Sequence, residues 1–118
     1  MAKDDRVFLR HMLDALDQIE EYTAPHDRKS FLKNRQAQDA TIRQFEILGE
    51  AVKQVSGKLR AQHRQIPWAD IAGMRDKLIH DYLGVDLTMV WLTVQQDLPI
   101  LKASLEDLFA SLPATPDG

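Results

Sequence analysis

The chain has 118 residues, 44% hydrophobic, 28% charged and 7% aromatic, with a formal net charge of −3, so one domain is expected and no global positive field draws in nucleic acid. No run of about 18 apolar residues occurs, which excludes a membrane-spanning helix, and the absence of cysteine excludes disulfides, thiolate zinc sites and cysteine nucleophiles. A monomer this small buries only about 60–70% of its unfolded surface, so self-association would add stability.

The start, MAKDDR, is charged where a secretory signal needs an apolar stretch, so a cytoplasmic location is expected. Phe8, Met12, Ala15, Ile19 and Tyr22 then recur at helical steps, with Asp4 and Asp5 placed to cap the free amides of a first helix. Thr23-Ala24-Pro25 closes it. A second helical stretch runs from near Ser30 to Val55, with the stripe Thr41, Phe45, Leu48, Val52 and Val55 and a stop at Ser56-Gly57. Phe31 and Leu32 are also compatible with a separate short helix. Lys58 to Gln65 is polar apart from Leu59 and Ala61 and reads as a connector.

Ile66-Pro67 opens the next helix, since proline suits the first helical position. It is expected to reach about Tyr82 and stop at Gly84. Asp86 is a good cap for a last helix with the stripe Trp91, Val94, Leu98, Leu101, Leu105 and Leu108, which Pro99 would kink. Residues 111–118, with two prolines and a glycine, read as a loose tail after a single domain over 1–110. No segment alternates with period two. The fold class is all-α, a bundle of four or five helices.

Several chemistries are missing. There is no GxxxxGK[ST] loop, no GxGxxG turn and no HExxH pair, and the residues three before the four histidines are Phe8, Thr23, Arg60 and Lys77, not the glutamates of a di-iron bundle. Glu46 and Glu50 lie one helical turn apart, a pattern more often a solvated or salt-bridged face than a cation site. No metal and no cofactor are expected. No helix is basic enough to read a DNA major groove, so DNA is not an expected partner.

One helix does not fit a bland bundle. In PWADIAGMRDKLIHDY, Ile71, Met74, Leu78 and Ile79 form one apolar stripe, and Arg75 and Tyr82 fall within it. An arginine there must be paired or must face a cleft or partner, because an isolated buried charge is too costly. Its structural reading is a salt bridge to Glu46 or Glu50. His80 lies about 140° around an ideal helix from Arg75, so the two do not share a face. Its structural reading is a surface histidine beside Asp76 or Asp81. The spacing R-x4-H occurs twice, at Arg6–His11 and Arg75–His80, against roughly 0.3 expected by chance. A tyrosine at the seventh position lowers the expectation to roughly 0.005, and only Arg75-x4-His80-x-Tyr82 meets it. The Arg6 copy, followed by Leu13, reads as an accident of the first helix.

Arg75-Asp76-Lys77-Leu78-Ile79-His80-Asp81-Tyr82 resembles the RX4HXY motif of HepT-type toxins, members of the HEPN superfamily of helical ribonucleases. RQFEILGEAVK (residues 43–53), IPWADIAGMRDKLIHDYLGVD (66–86) and VWLTVQQDLPILK (90–102) are similar to that family's blocks, in the same order. The resemblance implies a HEPN-type bundle that forms a homodimer with two motif copies facing one cleft, in a bacterial or archaeal cytoplasm. It implies a metal-independent endoribonuclease acting as the toxin of a toxin–antitoxin pair. It also implies an MntA-type nucleotidyltransferase partner that silences the toxin by AMPylation of Tyr82.

The side chains suit RNA cleavage. His80, with an unperturbed pKa near about 6.5, can move a proton near neutral pH. Arg75 can donate two hydrogen bonds to a phosphate and stabilise its transition state. Tyr82 would bind phosphate or stack on a base, and Lys77 would contact the substrate backbone or remain a solvated charge. Two other readings stay open: a non-catalytic helical module whose Arg75 and Tyr82 serve dimerisation or docking to a nucleotidyltransferase, and a nucleotide-binding accessory subunit.

Overall fold

A computed structural model describes residues 3–80 and 86–113, with side chains described for 5–74 and 86–113. The first helix, α1 (Lys3–Thr23), buries Leu9, Met12, Leu13, Ala15, Leu16 and Ile19, a stripe at steps of three and four. Thr23 ends it, its buried hydroxyl donating to the Ile19 carbonyl at 2.8 Å. Asp5 does more than complement the helix end. Its buried carboxylate accepts 2.7 Å hydrogen bonds from the Ser56 amide and hydroxyl, tying the start of α1 to a point 51 residues on.

The stretch from near Ser30 to Val55 is two helices, as the alternative of a separate short helix at Phe31 and Leu32 allowed. In α2 (Arg28–Phe31) Asp27 accepts from the Ser30 amide at 2.8 Å while the Ser30 hydroxyl accepts from the Asp27 amide at 3.1 Å. This reciprocal capping box starts a single turn that seats Phe31, fully buried, against Trp91 at 5.3 Å between ring centroids. Asn34 then caps α3 (Arg35–Gln54), accepting from Ala37 N at 2.9 Å. Thr41, Phe45, Leu48, Val52 and Val55 are all buried, as their spacing predicts.

Two further expectations need correction. Lys58–Gln65 is not all connector, because α4 (Gly57–Gln62) occupies its first part. The preceding helix does stop just before Ser56, which is also the cap of α4: its hydroxyl accepts from Leu59 N at 3.2 Å, and buried Leu59 docks the turn. One buried leucine leaves no stripe for periodicity to detect. At the other end, the expected kinked helix is divided into α6 (Leu87–Gln96) and α7 (Leu98–Ser111) at Asp97. Pro99 lies in the first turn of α7, where its missing amide would have had no partner in any case. Asp86 caps α6 as expected, accepting from Met89 N at 3.2 Å.

The core is built by α1 on α3, with α7 on α1 and α6 on α7. Trp91, Val94, Leu98, Leu101, Leu105 and Leu108 are buried on α6 and α7. Polar clamps reinforce α1 against α7. Lys102 reaches Asp17 and Glu20, both at 2.9 Å, and these bonds raise its pKa well above the ordinary lysine value. Arg6 donates to the Phe109 and Leu112 carbonyls, each at 3.2 Å, and stands 4.1 Å over the Phe109 ring. Among the described residues there is no strand, and five helices have ten residues or more. The chain is an all-α bundle.

Candidate functional site

The motif sits on α5 (Trp68–His80), which packs along α3. Its first half is fixed firmly. Ile66 and Trp68 are buried, and the Trp68 indole donates to the His63 carbonyl at 3.0 Å. The Ile71 amide donates to the Pro67 carbonyl at 3.1 Å, so Pro67 stands at the cap and the first helical residue is Trp68, one later than expected. Ile71 is buried and Met74 packs against the core, which confirms the first half of the expected stripe.

From these anchors the backbone of α5 carries Arg75, Lys77 and His80 on its last two turns. At about 100° per residue, Arg75 and His80 diverge by about 140° and Arg75 and Lys77 by about 160°. One straight helix therefore does not bring all three to one point. The side chains of Arg75, Lys77, Leu78, Ile79 and His80, the whole of Tyr82 and the expected stop at Gly84 lie outside the described residues.

The other R-x4-H pair is fully described. Arg6 is committed to the α7 carbonyls, whereas His11 turns towards α3 and meets Phe8 edge-to-face at 5.9 Å. This spacing in α1 serves packing. Glu46 lies 4.0 Å from Arg43 on the same helix, the salt-bridged alternative expected of it. Among the described residues no three His, Asp or Glu side chains are grouped to hold a metal ion. None of the described helices is long and apolar enough to cross a membrane.

Side chains of α1 and α3 also enclose a groove. Phe8 and His11 of α1 line a groove of about 480 Å³ with Arg43, Glu46 and Gln54 of α3. The weak signal for it was Phe8 and His11 one turn apart on the edge of the α1 stripe.

Comparison with known proteins decides the family. The chain matches the family described as "Ribonuclease HepT-like" over residues 12–108, a span that contains all of Arg75 to Tyr82. It belongs to the HepT-like ribonuclease family. It is 41% identical over 108 residues to the "Probable ribonuclease HepT" of Thermococcus cleftensis, covering 92% of this chain and 98% of that one. It is 36% identical over 106 residues to a protein of Caldanaerobacter subterraneus named "Putative RNase TTE0752", covering 90% and 95%. A Methanocaldococcus jannaschii protein named "Gamma-glutamylcyclotransferase and putative RNase MJ0434" is 40% identical over 112 residues, 95% of this chain. The chain spans half the length of that relative. No solved structure matches the chain.

Proposed function

We propose that this HepT-like protein is a metal-independent endoribonuclease and the toxin of a toxin–antitoxin pair, cutting RNA through Arg75, His80 and Tyr82 in a homodimer cleft. The observation that carries the reading is the family match across 12–108, which includes the whole Arg75-x4-His80-x-Tyr82 motif.

The substrate supplies its own nucleophile. The 2′-hydroxyl of RNA attacks the adjacent phosphorus, the P–O5′ bond breaks, and a 2′,3′-cyclic phosphate and a 5′-hydroxyl remain. His80 takes the 2′-hydroxyl proton, and water protonates the leaving 5′-oxygen. Positioned acid–base catalysis of this kind is worth about 10²–10⁴-fold. Arg75 holds two phosphate oxygens and stabilises the pentavalent transition state, worth about 10²–10³-fold. Lys77 contacts the RNA backbone. DNA lacks the 2′-hydroxyl and is not cut.

Control acts on the same cleft. An MntA-type nucleotidyltransferase places AMP on Tyr82: the phenol oxygen attacks the α-phosphorus of ATP, and pyrophosphate leaves. The new phosphodiester occupies Arg75 in place of RNA phosphate.

The test is cleavage of RNA in excess EDTA by unmodified wild type, with intact mass confirming a bare Tyr82, beside His80→Ala and Arg75→Ala. Cleavage with cyclic phosphate ends, reduced at least about 100-fold in each variant, is the expected result. No cleavage by a folded, unmodified dimer would refute the nuclease and favour a docking module for the nucleotidyltransferase.

A further inference from the structure

Net positive charge collects at one turn of this acidic chain. Residues 54–69 contain Lys58, Arg60 and Arg64 and no Asp or Glu, a charge of +3, while the rest of the chain carries −6. Asp70 is the next carboxylate along the chain. The segment comprises α4 and the connection into α5, so it leads straight into the motif helix. A second basic stretch, residues 28–35, differs in kind. Asp27 caps its turn and Asp39 stands 3.8 Å from Arg35, so carboxylates accompany its cations.

The turn is fixed from beneath. Leu59, Ile66 and Trp68 are buried, and the Trp68 indole donates to the His63 carbonyl. Asp5 is the carboxylate tied to this turn, and Ser56 takes both of its oxygens. Lys58 and Arg64 are exposed, and neither forms an ion pair among the described residues. Arg60 is half-buried, and its Nε is covered without an acceptor. A structural arginine has its N–H donors taken by carbonyls or carboxylates, as Arg6 has on α7. Among the described residues the fold gives the Arg60 guanidinium no anion to bind.

We propose that the turn over residues 56–64 docks the sugar–phosphate backbone of single-stranded RNA, with Lys58, Arg60 and Arg64 each neutralising a phosphate beside the one that is cut. This role rests on the ribonuclease reading above. A chain of net charge −3 repels a polyanion overall, so a nuclease built on it needs a local cluster to hold its substrate. At about 1.5 Å per residue, Arg75 lies about 10 Å and His80 about 18 Å along α5 from Trp68. A few linked nucleotides span that distance, so one strand reaches the turn and the motif together. Contacts to phosphate carry no sequence information, so the turn sets affinity and not the choice of base.

Fluorescence anisotropy with a 2′-O-methyl RNA of about 12 nucleotides reads binding alone, because methylation removes the nucleophile. On single strands each neutralised phosphate contributes about 0.7 to the slope of log affinity against log salt. Lys58→Gln, Arg60→Gln and Arg64→Gln should therefore each weaken binding about fivefold at about 0.1 M salt and lower the slope by about 0.7. Arg60→Lys should restore the slope. Lys29→Gln combined with Lys33→Gln removes charge from the other basic stretch and should change binding less than about twofold. Equal losses at both stretches would show attraction to net charge alone and overturn the proposal, as would RNA binding unchanged in the turn variants. If those variants lose binding of polyglutamate instead, the partner is an acidic protein and the proposal also falls. Cleavage kinetics separate the two readings. The turn variants should raise KM and keep kcat, since the turn touches phosphates away from the reacting bond. Wild-type cleavage with KM and binding unchanged in the variants overturns the docking site and leaves the nuclease standing. Turn-dependent binding by wild-type protein that cuts no RNA upholds the docking site and overturns the nuclease.

Discussion

Asp5→Ala tests how much the bond between α1 and α4 contributes. The residue is 5% exposed, and its carboxylate accepts two 2.7 Å hydrogen bonds from the Ser56 amide and hydroxyl. Hydrogen bonds to a charged group contribute about 1.5–3 kcal/mol each. Two such bonds on one carboxylate add less than their sum, and removing a buried charge recovers some desolvation. Ser56 is only half-buried, so water can reach its amide after truncation. The expected loss is about 2–3 kcal/mol, roughly 10 °C in Tm for a chain of this length. Asp5→Asn keeps one acceptor and should lose about half as much. The assay is urea denaturation at fixed protein concentration, because self-association makes stability concentration-dependent. Ser56→Ala removes the hydroxyl partner and the α4 cap but keeps the amide that donates to Asp5, so a double-mutant cycle should give a coupling of about 1 kcal/mol. A loss below about 0.5 kcal/mol for Asp5→Ala, or a coupling near zero, would refute the argument.

Thr41 is fully buried on α3, and its hydroxyl has no hydrogen-bond partner among the described residues. Thr41→Val keeps the shape and removes the stranded group, so urea midpoints should rise by the equivalent of about 1 kcal/mol. Gly73 lies within α5 with open space where a Cβ would stand, so Gly73→Ala should stabilise the motif helix by about 0.5–1 kcal/mol. A fall in stability instead would show close approach by another molecule at that face. The Ser30 amide holds the Asp27 pKa below the ordinary 3.8. A depressed carboxylate stabilises the fold above its unfolded pKa and loses that contribution as pH falls through the folded one. The Ser30 amide signal should therefore titrate below pH 3.8, and a midpoint above that value would contradict the capping box.

Helix stripes with long runs of apolar residues were legible from spacing alone. Trp91, Val94, Leu98, Leu101, Leu105 and Leu108 keep one face across α6 and α7 even though the backbone breaks between them. The breaks were harder to read because they depend on caps that periodicity does not see. Asn34 and Ser56 each accept an amide hydrogen bond three residues on; Asn34 places a break that periodicity left open, and Ser56 starts a helix inside a stretch read as a connector. Asp97 ends α6 without a side-chain cap bond of its own, so Pro99 was the only sequence signal there. The groove residues were legible individually and not as a group. Nothing in the order Phe8, His11, Arg43, Glu46 states that α1 lies along α3; only tertiary packing places them together.

The two R-x4-H pairs show why spacing alone does not make a site. In α1 the helix turns Arg6 towards α7, while His11 meets Phe8 of its own helix beside α3. The same geometry, about 140° between the two positions, applies to Arg75 and His80 on α5. Divergence of that size is harmless for packing and prohibitive for one helix gripping one phosphate from two sides. A two-fold axis removes the conflict, because the arginine of one protomer and the histidine of its partner can then meet the same phosphate. The proposed nuclease is thus a property of the dimer. Mixing Arg75→Ala with His80→Ala protein should restore measurable cleavage through heterodimers if the two roles come from different protomers. Continued silence of folded, mixed dimers would place both roles within one copy.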